Sequence, residues 1–231
     1  MLVVNSAYED ISESWFSPGW WERLAVPVAD GGRGSAWFVC TEQGDMVLRH
    51  YKRGGLVAKL VKQSYLFIGW KKTRSYQEFQ VLKQLYRLDL PVPEPVAAWA
   101  HRYYGASYRA AILTRRICGA VPFPEVDNPQ DYRLWRNVGL TIRRFHDAGL
   151  DHVDLNCDNI LLAQQNVYLI DFDKCRLRST GSGKKWKQAN LDRLRRSITK
   201  RMALSALDKY WSVLIDAYQL ADNDPVLAPA K

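Results

Sequence analysis

The chain is poor in cysteine and has no cysteines placed to act as a pair. Cys40, Cys118, Cys157 and Cys175 lie far apart and form no C-x-x-C motif. That spacing gives no zinc or redox signature, and a reduced cytosolic chain is the simplest expectation. Long apolar runs are also lacking, and none approaches the roughly 20 residues of a membrane-spanning helix. The stretch from Met1 to Asp10 has neither a basic start nor a sustained apolar core, so no signal peptide is expected. Internal repeats are absent too. Large side chains are plentiful: 231 residues are 47% hydrophobic, with nine Trp and twelve Tyr. Such a chain can bury a real core as one domain or two small lobes, which excludes disorder for its body.

Acid is scarce in one place. Between Lys174 and Arg201 there are eleven Lys or Arg and a single acid, Asp192, in a chain whose net charge is +9. A localised basic face points to an anionic partner: nucleic acid, an acidic membrane surface or phosphorylated lipid. A merely solvated face is the alternative, but eleven to one exceeds what solubility needs.

The chemistry concentrates just upstream. His152-Val153-Asp154-Leu155-Asn156-Cys157-Asp158-Asn159 runs into apolar Ile160 to Leu162, and Leu169-Ile170-Asp171-Phe172-Asp173 follows. A kinase catalytic loop needs this arrangement. One Asp takes the hydroxyl proton, while an Asn five residues later and an Asp on the next apolar strand hold Mg²⁺ against the ATP phosphates. Asp154 is then the base, and Asn159 and Asp171 the metal ligands. A polar hairpin between two buried strands is the plainer reading, since Asp and Asn also make turns.

The first half of the chain carries the matching parts. Gly32-x-Gly34-x-x-Trp37-x-Val39 opens a hairpin that turns at Glu42 to Asp45. Gly32 and Gly34 let backbone N–H groups approach phosphate, although Trp37 replaces the third Gly of a kinase loop. On the second strand the phosphate-binding cation falls at Arg49, with Lys52 in reserve. Thr73 to Leu90 reads as a helix with Phe79, Leu82 and Leu85 on one face. Its Glu78 is placed to pair with that cation, or is an exposed surface acid. Residues 1–22 are a lid or a strap over the first sheet. The basic-aromatic stretch 52–72 is either a surface for a large anionic substrate or a connecting segment. Val96 to Trp99 and Ala110 to Thr114 read as two further strands in a lobe expected to hold five, and Thr114 to Gly119 forms the adenine-docking linker. Helices are expected over 130–147, Gln188 to Met202 and Ala203 to Ala221, with the end frayed. His146 is assigned to capping or packing.

Taken together, the Gly-rich hairpin, L-R-H-Y-x-R-G-G (Leu48 to Gly55), R-S-x-x-E-F (Arg74 to Phe79), L-P-V-P-x-P (Leu90 to Pro95), H-V-D-L-N-x-x-N-I-L-L and I-D-F-D-K resemble the bacterial lipopolysaccharide-core kinases. The Kdo (3-deoxy-D-manno-octulosonic acid) kinases are the nearest of these. The resemblance spans about residues 15–215, and the basic W-x-x-x-N-L-x-R-L-x-R-S segment (Trp186 to Ser197) narrows it. It implies an α+β, two-lobed protein-kinase-like fold. A small mixed N-lobe would cover residues 1–118, and a reduced, mainly helical C-lobe residues 119–231. It also implies transfer of phosphate from ATP, with Mg²⁺, to the 4-hydroxyl of Kdo on a lipid A precursor. The setting would be the cytoplasmic side of the anionic inner membrane, with no nucleic-acid partner. A heptose or other small-sugar acceptor is the alternative, and an idle kinase-like scaffold that binds nucleic acid or membrane is a second.

Carried over by position, Asp154 is the base, Asn159 and Asp171 bind metal, and Gly32, Gly34, Arg49 and Glu78 serve ATP. Lys174, Arg176 and Arg178 are candidate substrate contacts, standing where a protein kinase has a peptide-docking loop. Val153 replaces the Arg of H-R-D, Asp173 replaces the Gly of D-F-G, and no A-P-E follows. These departures point away from a phospho-regulated protein kinase and toward an ordered small-substrate kinase.

Overall fold

The computed structural model describes residues 1–28, 35–51, 65–103, 107–179, 183–202 and 204–220. Gly32, Gly34 and Lys52 therefore lie outside the described residues. The chain divides into two compact units: Met1–Tyr86 with Pro93–Arg116, and Arg87–Val92 with Ile117–Lys231.

The first unit is built on an antiparallel sheet. Its strands are β1 (Leu2–Val4), β2 (Ala25–Pro27), β3 (Ala36–Val39), β4 (Met46–His50), β5 (Tyr65–Leu66), β6 (Pro95–Tyr103) and β7 (Ser107–Arg115). They run in the order β1-β6-β7-β4-β3-β2, with β5 also paired to β7. Seven strands are present among the described residues rather than the expected five. β1, β2 and β5 are only two or three residues long, too short to display a period of two. Residues 1–22 act as a strap. β1 pairs with β6, and Tyr8, Ile11, Trp15, Phe16 and Trp21 are buried against Met46, Leu48, Val96 and Leu113. Alternation along β4 sends Met46 and Leu48 into that core and leaves Arg49 on the opposite face. Helix α1 (Arg74–Arg87) buries Phe79, Leu82, Leu85 and Glu78. It stops short of Leu90 because Asp89 turns into the left-handed region at φ 51° ahead of Pro91.

The second unit contains β8 (Val121–Pro122), α2 (Tyr132–Asp147), β9 (Leu150–Asp151), β10 (Ile160–Ala163), β11 (Asn166–Leu169), β12 (Arg176–Leu177), α3 (Lys185–Arg201) and α4 (Leu207–Leu220). Asp131 caps α2 by accepting from the Arg133 amide at 2.9 Å. The helix buries Trp135, Val138, Ile142 and Phe145. It packs on α4 through Gly139, where an added Cβ would lie 2.2 Å from the Leu214 carbonyl oxygen. His146 is a packing residue: it is buried and shares a 2.8 Å hydrogen bond with the Tyr218 hydroxyl. Strands β11, β10 and β8 form one small sheet, and β12 with β9 another. The last two helices start at Lys185 and Leu207 rather than at Gln188 and Ala203. Among the described residues no helix is long and apolar enough to cross a membrane.

Candidate active site

The β10–β11 hairpin brings Asn159 and Asp171, twelve positions apart in sequence, to the same end of one small sheet. Its register pairs Ile160 with Leu169 and Ala163 with Asn166 across a two-residue turn. Continuing that ladder by one step, the Ile170 amide donates to the Asn159 carbonyl at 3.1 Å. Asp171 is the next residue and takes φ 61°, and Lys174 takes φ 62°. Asp is among the residues that tolerate this left-handed conformation, and such strain clusters at functional sites.

The preceding loop is held by its own polar side chains and by groups on α3. His152 is buried, and its Nε2–H donates to the Ile170 carbonyl at 3.0 Å. Burial pushes its imidazole pKa below the usual histidine range, so the ring is neutral. The His152 amide donates to Asn190 Oδ1 at 3.0 Å, and Asn190 Nδ2 donates to Asp151 Oδ1 at 3.1 Å. Asn156 caps the 3-10 turn Cys157–Asn159, accepting from the Asp158 and Asn159 amides at 2.9 and 3.1 Å. The side-chain Nδ2 groups of Asn156 and Asn159 both donate to the Asp154 carbonyl, at 3.1 and 3.0 Å. The Asp154 backbone is thereby fixed while its carboxylate stays 59% exposed.

Asp154 and Asp171 line a common cavity of about 250 Å³ with Val153, Asp173 and Lys174. Asn159 does not line it but is tied to the Asp154 carbonyl. Because its Nδ2 is committed there, its Oδ1 is the coordinating atom it has to offer. An amide oxygen and a carboxylate are hard donors, few in number. That suits Mg²⁺, which uses one or two protein ligands and takes the rest from phosphates and water. Among the described residues no cluster of three or more His, Cys, Asp or Glu forms an all-protein cage. The residues present fit the ion.

The first unit holds the other candidates. The Arg49 guanidinium meets the Glu78 carboxylate at 2.5 Å, and the Tyr51 hydroxyl donates to Glu78 Oε2 at 2.5 Å. Glu78 is 4% exposed and Arg49 24%, so the acid is buried with its charge answered and the cation keeps a solvent-facing side. The structure thus joins Arg49 and Glu78 as a pair. In the linker, the Arg115 and Arg116 amides are already bonded to the Glu94 and Asp45 carbonyls.

A model described as the lipopolysaccharide kinase (Kdo/WaaP) family matches residues 19–218. The chain belongs to that family. It is 43% identical over 211 residues to the 3-deoxy-D-manno-octulosonic acid kinase of Xylella fastidiosa, covering 89% of this chain and 84% of that protein. It is 41% identical over 209 residues to the Vibrio cholerae protein of the same name, at 89% and 86% coverage. Two solved structures resemble it in fold. One is WaaP in complex with acyl carrier protein, at TM-score 0.55 and 16% identity over 98% of this chain and 94% of that one. The other is the Rio2 kinase-ADP/Mg2+-phosphoaspartate complex from Chaetomium thermophilum, at TM-score 0.51 and 18% identity over 88% and 68%. The α+β, protein-kinase-like fold follows from these.

Within this lipopolysaccharide kinase, the three downstream cations are placed differently from one another. Lys174 reaches the Asp154 cavity, and Arg176 is exposed on β12. Arg178 binds Asp151 Oδ2 through Nε and a terminal nitrogen at 3.0 and 2.6 Å, which gives it a structural partner. Lys187, Arg193, Arg195 and Arg201 likewise meet Asp147, Asp154, Asp208 and Asp158. The local count of eleven to one therefore overstates the field, because acids from other elements answer about half of it.

Four residues escaped the sequence reading of the site: Asn156, Asn190, Arg193 and Ser197. The last three lie inside the Trp186 to Ser197 motif at helical spacing. That periodicity was the available signal that they share one face.

Proposed function

We propose that this lipopolysaccharide kinase uses ATP to phosphorylate the 4-hydroxyl of Kdo on a lipid A precursor. The observation that supports this best is the fixed Asp154 backbone with an exposed carboxylate, in one cavity with Asp171. An idle scaffold has no need of that arrangement. Asp154 orients the sugar hydroxyl and accepts its proton. The hydroxyl oxygen forms the new bond to the γ-phosphorus, the bond to the bridging oxygen breaks, and ADP leaves with that electron pair. Asn159 Oδ1 and the Asp171 carboxylate hold Mg²⁺, which neutralises phosphate charge when bound. Arg49, aligned by Glu78, clamps phosphate oxygens in the place usually taken by Lys.

The same reading includes a peripheral position on the anionic cytoplasmic leaflet. Leu66, Ile68 and Trp70 are 65%, 69% and 40% exposed, and exposed Lys71 and Lys72 follow. An apolar edge beside cations suits a headgroup boundary. Each basic residue near the surface adds about 1 kcal/mol.

The test is a panel of acceptors with ATP and Mg²⁺: Kdo-bearing lipid A precursor, a heptose-bearing core and free sugars, for wild type and Asp154→Ala. The expected result is transfer to the Kdo acceptor by wild type alone. Transfer only to heptose would overturn the acceptor, and equal transfer by both proteins would overturn the role of Asp154.

A further inference from the structure

We propose that Arg193 is a catalytic residue whose guanidinium stabilises the phosphoryl group in flight beside Asp154. This rests on the kinase reading above and adds to it a residue from outside the catalytic loop.

The loop itself cannot supply the charge. From Asp151 to Leu162 there are four polar carboxylate or amide side chains on the active stretch 154–159 but no Lys or Arg. The adjoining cavity has three carboxylates, Asp154, Asp171 and Asp173, against one cation, Lys174. A transferring phosphoryl group spreads negative charge over its equatorial oxygens, and an arginine placed on them is among the strongest aids known for this chemistry. Helix α3 brings one. Arg193 Nη1 lies 3.9 Å from Asp154 Oδ1, and the two side chains are 48% and 59% exposed. No such ion pair joins Lys174 to Asp154 among the described residues. A planar guanidinium can bridge two phosphoryl oxygens, whereas an ammonium acts as a point charge.

The position of Arg193 follows from how α3 is fastened. Asn190 accepts from the His152 amide at 3.0 Å, and Ser197 Oγ accepts from the Cys157 amide at 2.9 Å. Arg201 Nη2 lies 3.0 Å from Asp158 Oδ1. Residues 190, 193, 197 and 201 recur at helical spacing on one face and meet loop residues 152, 154, 157 and 158 in the same order. The helix is a splint laid along the catalytic loop. The contacts on either side of Arg193 fix its backbone. Its own contact is longer than a hydrogen bond, so its N–H groups are poised for a phosphoryl oxygen arriving at Asp154. In the reaction described above, Arg193 donates to the equatorial oxygens as charge accumulates, and Asp154 receives the hydroxyl proton.

The test compares wild type with Arg193→Ala, Arg193→Gln and Arg193→Lys in two measurements. In steady-state kinetics, Arg193→Ala is expected to lower kcat by about 100-fold, with KM for ATP and acceptor within about threefold of wild type. Lys restores part of the rate, and guanidinium ion added to Arg193→Ala restores part as well. In binding by calorimetry, ADP affinity stays as in wild type, but the gain in affinity on adding aluminium fluoride with Mg²⁺ is lost. Both Ala and Gln variants should keep the wild-type unfolding temperature. The binding arm contains no sugar, so a mistaken acceptor would leave it intact. A rise in acceptor KM with kcat retained would show that Arg193 grips the acceptor and would overturn the proposal. So would an undiminished response to aluminium fluoride. A wild type that binds neither ADP nor the analogue would end the kinase reading and this role with it.

Discussion

Replacing Asn190 with Ala tests how the catalytic loop is held. Asn190 is 4% exposed and makes two buried hydrogen bonds, accepting from the His152 amide and donating to Asp151 Oδ1. Alanine leaves both groups unanswered. An unsatisfied buried donor or acceptor costs about 1–3 kcal/mol. Asp151 keeps Arg178 on its other oxygen, which places its share at the low end, so the two together cost about 3 kcal/mol. For a chain of this length each kcal/mol lowers Tm by about 2–4 °C, giving a drop of about 6–12 °C. Because His152 stands two residues before Asp154, phosphoryl transfer should fall as well, even at temperatures where the variant is folded. Asn190→Asp separates the two bonds: it keeps an acceptor for the His152 amide but sets a carboxylate against Asp151. It should therefore be at least as unstable at neutral pH and recover partly on mild acidification. Urea unfolding and turnover measured side by side decide the matter. A loss below about 1 kcal/mol with unchanged turnover would refute the view that Asn190 anchors the loop.

Other outcomes follow from the same geometry. Burial holds the His146 imidazole down to about 3, with Lys187 adding to the shift, against about 6.5 in the unfolded chain. Its contribution to stability is therefore complete above pH 6.5 and is lost as pH falls toward 3. By pH 5.5 the loss is about 1.4 kcal/mol, and neutral His152 adds a loss of the same sign. A flat urea-unfolding profile between pH 7 and 5.5 would contradict both. Gly139→Ala should cost about 1–3 kcal/mol, since its Cβ would meet the Leu214 carbonyl; wild-type stability would mean that α2 and α4 part easily. Glu78→Ala removes the carboxylate that aligns Arg49 and should raise KM for ATP roughly tenfold, the equivalent of about 1.4 kcal/mol. An unchanged KM would detach Arg49 from the nucleotide. Leu66→Asp with Ile68→Asp should abolish sedimentation with anionic vesicles while sparing turnover of a soluble acceptor. Retained vesicle binding would move the membrane contact elsewhere.

Much of the candidate site was legible in the sequence because its parts lie at local spacings. The interval between Asp154 and Asn159 spans one loop, and the interval from Asn159 to Asp171 is one hairpin whose apolar strands announce themselves. The Arg49–Glu78 pair was legible for a similar reason, since strand and helix order fix which faces meet. Elements without a period long enough to read were missed. β1, β2 and β5 are too short, and the role of residues 1–22 depended on long-range packing of Trp15, Phe16 and Trp21 on the sheet. The charge count is incomplete for a related reason. Arg178, Arg195 and Arg201 find their acids on other elements, and no local tally shows that. Asn190 and Ser197 look like ordinary polar helix residues until the catalytic loop is laid beside them.

The central claim is that Asp154 and its neighbours move phosphate from ATP to a sugar hydroxyl of Kdo. Phosphorus NMR of the product formed from ATP, Mg²⁺ and Kdo-bearing lipid A precursor measures this most directly. One new phosphomonoester, coupled to the proton at position 4 of Kdo, is expected from wild type and not from Asp154→Ala. Phosphate appearing only as the free ion, or on another sugar, would contradict it.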